Sequence, residues 1–138
     1  MNVKGLININ RVKKNVSQLI LGSADFTPDN TDEVSQILDT YLELGGNTID
    51  TAHQYVGSEE ALGKWLKVKN NREKIQVFTK GAHPDDGEPG NRVAPPYIEK
   101  DLHESLERLQ TEYVDFFALH RDDPSVEVGL ILETLNQF

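Results

Sequence analysis

The fold of this chain is decided by the stretch GNTIDTAHQY, which occupies residues 46–55. Residues Thr48 to Ala52 are predicted to form a short β-strand, because β-branched and apolar residues follow a glycine pair that would end a preceding helix. Asp50 lies within this strand, and His53 and Tyr55 follow it directly. The strand therefore brings an acid, an imidazole and a phenol to its carboxyl end. The segments on both sides of it indicate the fold to which the strand belongs.

Strands and helices alternate on both sides of this stretch. The predicted strands are Leu19–Leu21, Thr48–Ala52, Ile75–Thr79 and Tyr113–Leu119, and the predicted helices begin at Asn30 or Thr31, at Ser58, at Pro95 and after Pro124. We expect the first strand to be buried, and Asn30 with Glu33 to form a capping box. Strand spacings of roughly 30 to 40 residues suit right-handed crossovers between parallel strands. Residues Leu6 to Val16 are predicted to form a hairpin that turns near Asn10 and Arg11.

Two α/β folds fit this order of elements. A doubly wound sheet could be complete with four strands, whereas a (β/α)8 barrel needs about 250 residues, and this chain has 138. The sequence contains no Gly-x-Gly spacing, which argues against a Rossmann nucleotide site. The pattern of strands and helices by itself supports the two folds about equally.

The composition argues against several classes of function. The formal net charge is −9 and the pI is about 4.8, so the chain would repel phosphate backbones, and we expect no nucleic-acid partner. No apolar run is long enough to span a membrane and no basic run would bind anionic lipid, so we expect no membrane partner. Without cysteine there are neither disulfides nor thiolate zinc sites. We therefore expect a single cytoplasmic domain that covers residues 1–138.

Ionisable residues end three consecutive predicted strands, namely Asp50, Lys80 and His120. The carboxyl ends of parallel strands form the active-site face of α/β folds, and a buried charge there must be paired, for which Asp50 and Lys80 are the obvious partners. A tyrosine with an ordinary pKa of ~10 donates its proton poorly at neutral pH. A lysine cation ~4 Å away would favour the phenolate by about 4 kcal/mol at an effective dielectric of ~20. These three residues and Tyr55 are therefore predicted to protonate a carbonyl oxygen during reduction by an external hydride.

The same residues lie in motifs that resemble those of a known family. The motifs that resemble aldo-keto reductases are residues 46–55, Gly57–Gly63, Val77–Lys80 and Asp115–His120. The resemblance covers residues 17–138, and it implies the first half of a (β/α)8 barrel: about four βα units after an N-terminal hairpin, with the second half absent. One residue, Val56, separates Tyr55 from Gly57, whereas many members of the family have the tyrosine and the glycine side by side.

The resemblance also implies a role for each site residue. In the family a tyrosine is the general acid, a lysine tunes it, an aspartate supports the lysine and a histidine orients the carbonyl. The residues of this chain at these positions are Tyr55, Lys80, Asp50 and His120. The implied cofactor is NADP and the implied substrate is a small aldehyde or ketone. Most of the NADP surface in the family lies in the second half of the barrel, so only the edge facing the nicotinamide is expected here, at Gly22, Ser23 and Asp50.

Two other functions remain open from the sequence. A regulatory or binding protein on the same barrel is one, because some members of the family serve as channel subunits, although such a protein would not need Tyr55 and Lys80. A metal-dependent barrel hydrolase or isomerase could use Asp50, His53 and His120, but no compact metal motif is present and we assign no metal ligand. The other candidate ligands, interpreted as solvated loop residues, are His83, Asp85, Asp86, Asp122 and Asp123.

Half a barrel would leave its first and last strands as unpaired edges. Strand residues that face the barrel interior, for which Ile49, Val77 and Phe117 are the candidates, would also lose the strands opposite them. We therefore expect that this chain does not reduce carbonyls by itself, and that it associates with itself or with a partner that completes the barrel. The alternative is that the chain is part of a longer protein.

Overall fold

The computed structural model describes residues 5–84, 90 and 92–138, so that Asp85 and Asp86 lie outside the described residues. The elements in chain order are β1 Leu6–Ile7, β2 Val16–Ser17, β3 Leu21–Gly22, α1 Thr31–Glu43, β4 Thr48–Asp50, α2 Ser58–Lys69, β5 Gln76–Gly81, α3 Pro95–Leu109, β6 Phe116–Leu119 and α4 Val128–Leu135, with 3-10 turns at Pro28–Asn30 and Arg72–Lys74. Strands β3, β4, β5 and β6 form a parallel sheet in that order. Each strand therefore lies beside its predecessor, as in the wall of a barrel, and the four predicted βα units after a hairpin are confirmed.

The register of the strands decides which side chains face the helices. Ile49 pairs with Leu21 on one side and with Val77 on the other. Ile49 and Val77 are fully buried in a core that they share with α1 and α2. Phe117 packs against a second apolar cluster, which includes Ile98 of α3 and Ile131 of α4. The three candidates for the barrel interior therefore face the helices instead.

The opposite face of the sheet is the open one. Asp50 lies in register with Phe78, and Phe78 with Phe116, and all three are partly exposed. Side chains alternate between the two faces along a strand, so Lys80, two residues after Phe78, belongs to this face as well. The interior of the barrel wall is thus lined by polar and aromatic residues.

The helices are held to the sheet by the apolar faces that the sequence predicts. The buried residues of these faces are Val34 and Leu38 in α1, Ala61, Leu62, Trp65 and Leu66 in α2, and Ile98, Leu102 and Leu109 in α3. Each large apolar side chain that is fully buried contributes roughly 1.5–3 kcal/mol. The indole N–H of the buried Trp65 donates to Asp39 Oδ1 at 3.0 Å, so the polar atom of this core ring has a partner. A Cβ on Gly63 would lie 2.3 Å from the carbonyl oxygen of Arg108, so glycine allows α2 and α3 to touch.

The N-terminal hairpin closes the amino ends of the strands. Strands β1 and β2 pair antiparallel, and Arg11 at the turn has a positive φ of 70°. Gln76 Nε2, at the start of β5, donates to the carbonyl oxygens of Lys14 and Asn15 at 2.8 and 2.7 Å. Lys14 Nζ forms an ion pair of 3.0 Å with Asp115 Oδ1. Because these contacts cover one end of the sheet, the carboxyl ends of the strands remain the accessible end.

Two local expectations are wrong. The first strand begins only at Leu21, and Leu19 and Ile20 are 58% and 49% exposed, because within the described residues β3 is an edge of the parallel sheet. The capping box of Asn30 does not form, since Asn30 Oδ1 instead accepts hydrogen bonds from the backbone N and the Oγ1 of Thr27, at 3.1 and 3.0 Å.

Helix α4 carries apolar residues at helical spacing, namely Val128, Ile131, Leu132 and Leu135. Of these, Ile131 is buried and Leu135 packs beside it, whereas Val128 and Leu132 are exposed. The reason is that the described chain provides one neighbour for α4, the side of α3 and β6, so that only one narrow stripe of the helix is covered. None of the helices in the described ranges has both the length and the apolar character needed to cross a bilayer.

The backbone conformation at the end of α3 can be tested by mutating Gln110. It ends α3 in the left-handed region, at φ 53° and ψ 43°, where only glycine avoids steric strain. Its side chain is exposed, so Gln110→Gly should raise the free energy of unfolding by about 1 kcal/mol. Urea denaturation followed by circular dichroism measures the change. Gln110→Ala is the control and should give no such gain, because its Cβ meets the same strain; a glycine variant without increased stability would contradict the assignment.

Candidate active site

The structure brings Asp50, Tyr55, Lys80 and His120 together at the carboxyl ends of the strands. Asp50 ends β4, Lys80 is the last residue but one of β5, and His120 follows β6 directly. Tyr55 lies in the loop between β4 and α2. Its ring centroid is 5.0 Å from Lys80 Nζ and 5.8 Å from the ring centroid of His120. The four side chains that the sequence selects therefore form one cluster on the open face.

Lys80 is the centre of this cluster. Its Nζ lies 2.7 Å from Asp50 Oδ1 and donates to the carbonyl oxygen of Thr51 at 2.8 Å. The Lys80 and Asp50 side chains are 17% and 26% exposed, so the ion pair is only partly screened by water. The ammonium group also lies near the face of the Tyr55 ring, at a distance suited to a cation–π contact. A cation held in this position stabilises negative charge that develops on a neighbouring oxygen.

The loop that carries Tyr55 is fixed by backbone hydrogen bonds to β5. The N–H groups of Thr51 and His53 each donate to a carbonyl oxygen of β5, those of Phe78 and Lys80, at 2.9 Å. The N–H of Tyr55 then closes a turn onto the carbonyl oxygen of Ala52 at 3.0 Å. Val56, the additional residue after the tyrosine, is 88% exposed. The insertion is thus absorbed at the surface, and the Tyr55 ring still reaches Lys80 and His120.

A cluster of buried hydroxyl groups lies behind Asp50. Ser23 Oγ donates to the carbonyl oxygen of Asp50 at 2.9 Å, and Ser58 Oγ donates to the carbonyl oxygen of Ser23 at 2.7 Å. Thr51 Oγ1 lies 2.9 Å from Ser58 Oγ, and all three hydroxyl residues are fully buried. The cluster ties the ends of β3 and β4 to the first residue of α2. Sequence reasoning missed Thr51 and Ser58, because small hydroxyl residues near strand ends carry no distinctive spacing.

The two residues predicted to contact a cofactor beside Asp50 have different surroundings. Gly22 is exposed, and a Cβ added to it would meet no atom within 4 Å. Ser23 is fully buried, and its hydroxyl group is occupied by Asp50 and Ser58. Gly22 therefore offers open space for a ligand next to Asp50, whereas Ser23 supports Asp50 from behind.

His120 is held in its neutral form by its environment. Burial is the main cause that lowers its pKa below the ordinary value, and electrostatic interactions with Lys80, His83 and Arg121 lower it further, while Asp50 acts in the opposite direction. Its Nδ1 is buried and has no hydrogen-bond partner among the described residues. A neutral imidazole can donate one N–H to a substrate oxygen without adding charge to the site.

His53 is turned away from this cluster. Its Nε2 lies 2.7 Å from Glu104 Oε2 of α3, and Arg108 Nη1 donates to its carbonyl oxygen at 2.9 Å. The hydrogen bond from His53 is the main cause of a lowered pKa of Glu104. Asp50, His53 and His120 are therefore not brought together as metal ligands, and residues 5–84, 90 and 92–138 contain no group of three His, Cys, Asp or Glu side chains suited to a metal ion.

Comparison with known proteins finds the same family on several grounds. The family model described as the aldo/keto reductase family matches residues 18–138. An aryl-alcohol dehydrogenase from Pestalotiopsis microspora is 35% identical over 109 residues, which are 73% of this chain and 28% of the relative. An aldo-keto reductase from Aspergillus calidoustus is 34% identical over 124 residues, which are 83% of this chain and 31% of the relative. The chain thus spans about a third of the length of the curated relatives it matches.

Solved structures agree with the sequence relatives. A protein described as an aldo-keto reductase from Pseudomonas aeruginosa superposes with a TM-score of 0.82 at 26% identity, over 98% of this chain and 55% of that chain. An aldo-keto reductase from Bacillus halodurans gives a TM-score of 0.79 at 29% identity, over 96% of this chain and 45% of that chain. The fold is therefore that of a partial aldo-keto reductase barrel, as the sequence motifs imply.

The electrostatic environment of His120 can be tested without any substrate. Lys80→Met removes a cation that disfavours the imidazolium form, so the pKa of His120 should rise. Asp50→Asn removes an anion that favours the imidazolium form, so the same pKa should fall. The chemical shift of the His120 ring protons, followed by NMR from about pH 4.5 to pH 8, measures both changes.

A matched control is Lys64→Met, which removes an exposed lysine of α2. This variant should leave the His120 titration unchanged. Shifts of the same sign in the Lys80 and Asp50 variants would contradict the arrangement, because the two groups bear opposite charges.

Proposed function

Because the chain belongs to the aldo/keto reductase family, whose model matches residues 18–138, we propose that it carries the proton-donating half of an active site that reduces an aldehyde or ketone to an alcohol with NADPH. The observation that carries this proposal is the convergence of Asp50, Tyr55, Lys80 and His120 on the open face, with Lys80 bonded to Asp50 and lying 5.0 Å from the centroid of the Tyr55 ring. We place the reaction in the cytoplasm, since a chain without cysteine needs no oxidising compartment.

The surroundings of β3 and β4 fit the cofactor. NADPH, when bound, supplies the hydride that adds to the carbonyl carbon. Gly22 and Asp50 would lie beside it, because the two residues pair in register and no side chain stands at Gly22. Ser23 would contribute indirectly by holding the backbone of Asp50.

Each of the four side chains would have its own role in transferring one proton to the carbonyl oxygen. The Tyr55 hydroxyl donates its proton to the carbonyl oxygen as negative charge develops there. Lys80 stabilises the phenolate that remains, and Asp50 keeps Lys80 in place by an ion pair of 2.7 Å. Neutral His120 donates an N–H to the same carbonyl oxygen and so orients the substrate. The carbonyl thus gains a hydride at carbon and a proton at oxygen, and becomes an alcohol.

The lining of the open face supports an aromatic substrate. Phe78 and Phe116 lie on the same face as Lys80 and contact each other edge to face, with ring centroids 5.9 Å apart. Both rings are partly exposed, and an aryl group could stack against them. Two of the relatives are named aryl-alcohol dehydrogenases, which agrees with an aryl aldehyde or ketone as the substrate class.

The alternative functions have less support. A purely regulatory or binding role gives no reason for an ion pair of Lys80 and Asp50 beside the Tyr55 ring. A metal-dependent hydrolase or isomerase would need His53 near Asp50 and His120, whereas His53 is bonded to Glu104 of α3.

Tyr55→Phe tests the proposed acid. In the assembly that reduces carbonyls, this variant should slow the chemical step by at least about 100-fold, the lower end for general acid catalysis, because the phenol proton is lost. Single-turnover oxidation of NADPH measures this rate. NADPH affinity should hardly change, since the phenol is aimed at the substrate. Tyr97→Phe, at an exposed tyrosine of α3, is the control; near-normal turnover in Tyr55→Phe would exclude Tyr55 as the acid.

We further propose that the active form contains additional strands, supplied by the rest of a longer chain, by a second copy of this chain or by a partner. Strands β3 and β6 have unpaired edges within the described sheet. Apolar side chains are exposed near both edges, with Leu19 and Ile20 before β3 and Leu130 and Leu132 in α4. Covering these side chains would contribute roughly 25 cal/mol per Å² of apolar surface, so the two edges are the places where association is favourable.

The isolated chain tests this proposal. We expect residues 1–138 to sediment as a species larger than a monomer, and not to reduce a test aldehyde with NADPH. Ile20→Glu should weaken the association, because it places a charge beside the β3 edge, whereas Val68→Glu, at an exposed position of α2, should not. A stable monomer that binds NADPH at micromolar concentration and reduces the aldehyde would show that no completing partner is needed.

A further inference from the structure

His83 lies beside the four side chains of the candidate site. Its ring centroid is 5.2 Å from that of His120, and the two rings meet edge to face at 78°. Tyr55 also contacts His120, with ring centroids 5.8 Å apart. Both His83 and Tyr55 therefore contact the His120 ring, and His83 lies close to the position where a carbonyl oxygen would be held between Tyr55 and His120.

The backbone before His83 is held in a conformation that alanine rarely adopts. Ala82 has a positive φ of 62°, a left-handed conformation that is strained for a residue with a Cβ. Its N–H donates to Asp101 Oδ2 at 2.8 Å, and Asp101 is fully buried in α3, where it also bonds Arg92. Strain of this kind persists only where the surrounding structure maintains it, and it is concentrated at functional sites.

Gly81 allows this turn to be held against α3. A Cβ at Gly81 would lie 2.9 Å from Phe117 Cζ and 3.0 Å from Asp101 Cβ, so a larger residue would push the chain away from both. The close approach at Gly81 and the hydrogen bond from Ala82 together fix the direction in which the chain leaves β5. The next side chain, His83, is thereby directed to His120.

The hydrogen bond made by Nδ1 of His83 determines which kind of group its other ring nitrogen, Nε2, can bind. Nδ1 lies 2.9 Å from the carbonyl oxygen of Pro84, which can only accept, so Nδ1 carries the proton of the neutral ring. Nε2 is then an acceptor, and it has no hydrogen-bond partner among the described residues. The ring is half-buried. A ligand donor at Nε2 would thus be partly sheltered from competing water.

We propose that His83 is a further substrate-binding residue of this site, and that its Nε2 accepts a hydrogen bond from a hydroxyl group on the carbonyl substrate. The preferred substrates are therefore aryl carbonyl compounds that carry a hydroxyl group several ångströms from the carbonyl. This inference rests on the proposed function, because it assumes that the carbonyl is held by Tyr55 and His120.

Binding of two matched ketones to the full 138-residue chain tests the proposal. At roughly pH 8, where histidine side chains are neutral, NMR titration should show that 3-hydroxyacetophenone binds about fivefold tighter than 3-methoxyacetophenone, since only the former can donate a hydrogen bond. His83→Ala should abolish this preference and leave the affinity for the methoxy compound unchanged. His83→Gln should keep part of it, because the amide oxygen also accepts. His103→Ala, at an exposed histidine of α3, should keep all of it.

Three results would overturn the proposal: equal affinity for the two ketones, a preference that survives in His83→Ala, or no binding of either ketone at about millimolar concentration. If His83→Ala does not fold, His83→Gln decides, and a full loss of the preference there with unchanged methoxy affinity would contradict acceptance by the amide oxygen. The titration uses no NADPH, so its outcome is separate from carbonyl reduction by the completed assembly, which tests the proposed function.

Discussion

The parallel register of β3, β4 and β5 is the constraint on which the rest of this structure depends. Because Ile49 pairs with Leu21 and Val77, these aliphatic residues face α1 and α2 and pack in one core with them. The same register places the alternate residues Asp50, Phe78 and Lys80 on the opposite face. A slip by one residue would bury the ion pair in the helix core and expose the aliphatic side chains. The fold and the position of the candidate site are therefore consequences of one pairing pattern.

Helix α3 connects this sheet to the loops that carry the candidate site. Arg108 and Glu104 hold the backbone and the ring of His53, two residues before Tyr55. Asp101, one turn earlier on the helix, holds the N–H of Ala82 after Lys80. The loops after β4 and after β5 are thus attached to one rigid element. Such support matters because the side chains of the candidate site lie on partly exposed loops and strand ends, and the proposed proton transfer would tolerate little error in their position.

Much of this arrangement could be predicted from particular residues. The alternation of apolar segments located all four strands and all four helices, and the ionisable strand ends at Asp50, Lys80 and His120 indicated an active-site edge before the sheet was known. The family motifs added Tyr55 and the choice of the barrel. The orientation of Ile49, Val77 and Phe117 could not be read from the same pattern, because a fully apolar strand segment does not show which face meets helices. The exposure of Leu19 and Leu132 was equally hidden, since it depends on which neighbours an edge element has.

What the sequence by itself determined is the order of the elements, their parallel connection and the four residues of the candidate site, because these follow from local periodicity and from motifs contiguous in the chain. Tertiary structure alone decided that His53 faces Glu104, that Ser23 and Ser58 support Asp50 from behind, and that His83 reaches His120. These contacts join segments that are far apart in the chain or depend on the left-handed turn at Ala82. Their geometry depends on how α2 and α3 pack on the sheet. That packing depends on the distances between elements, and a local sequence pattern does not contain these distances.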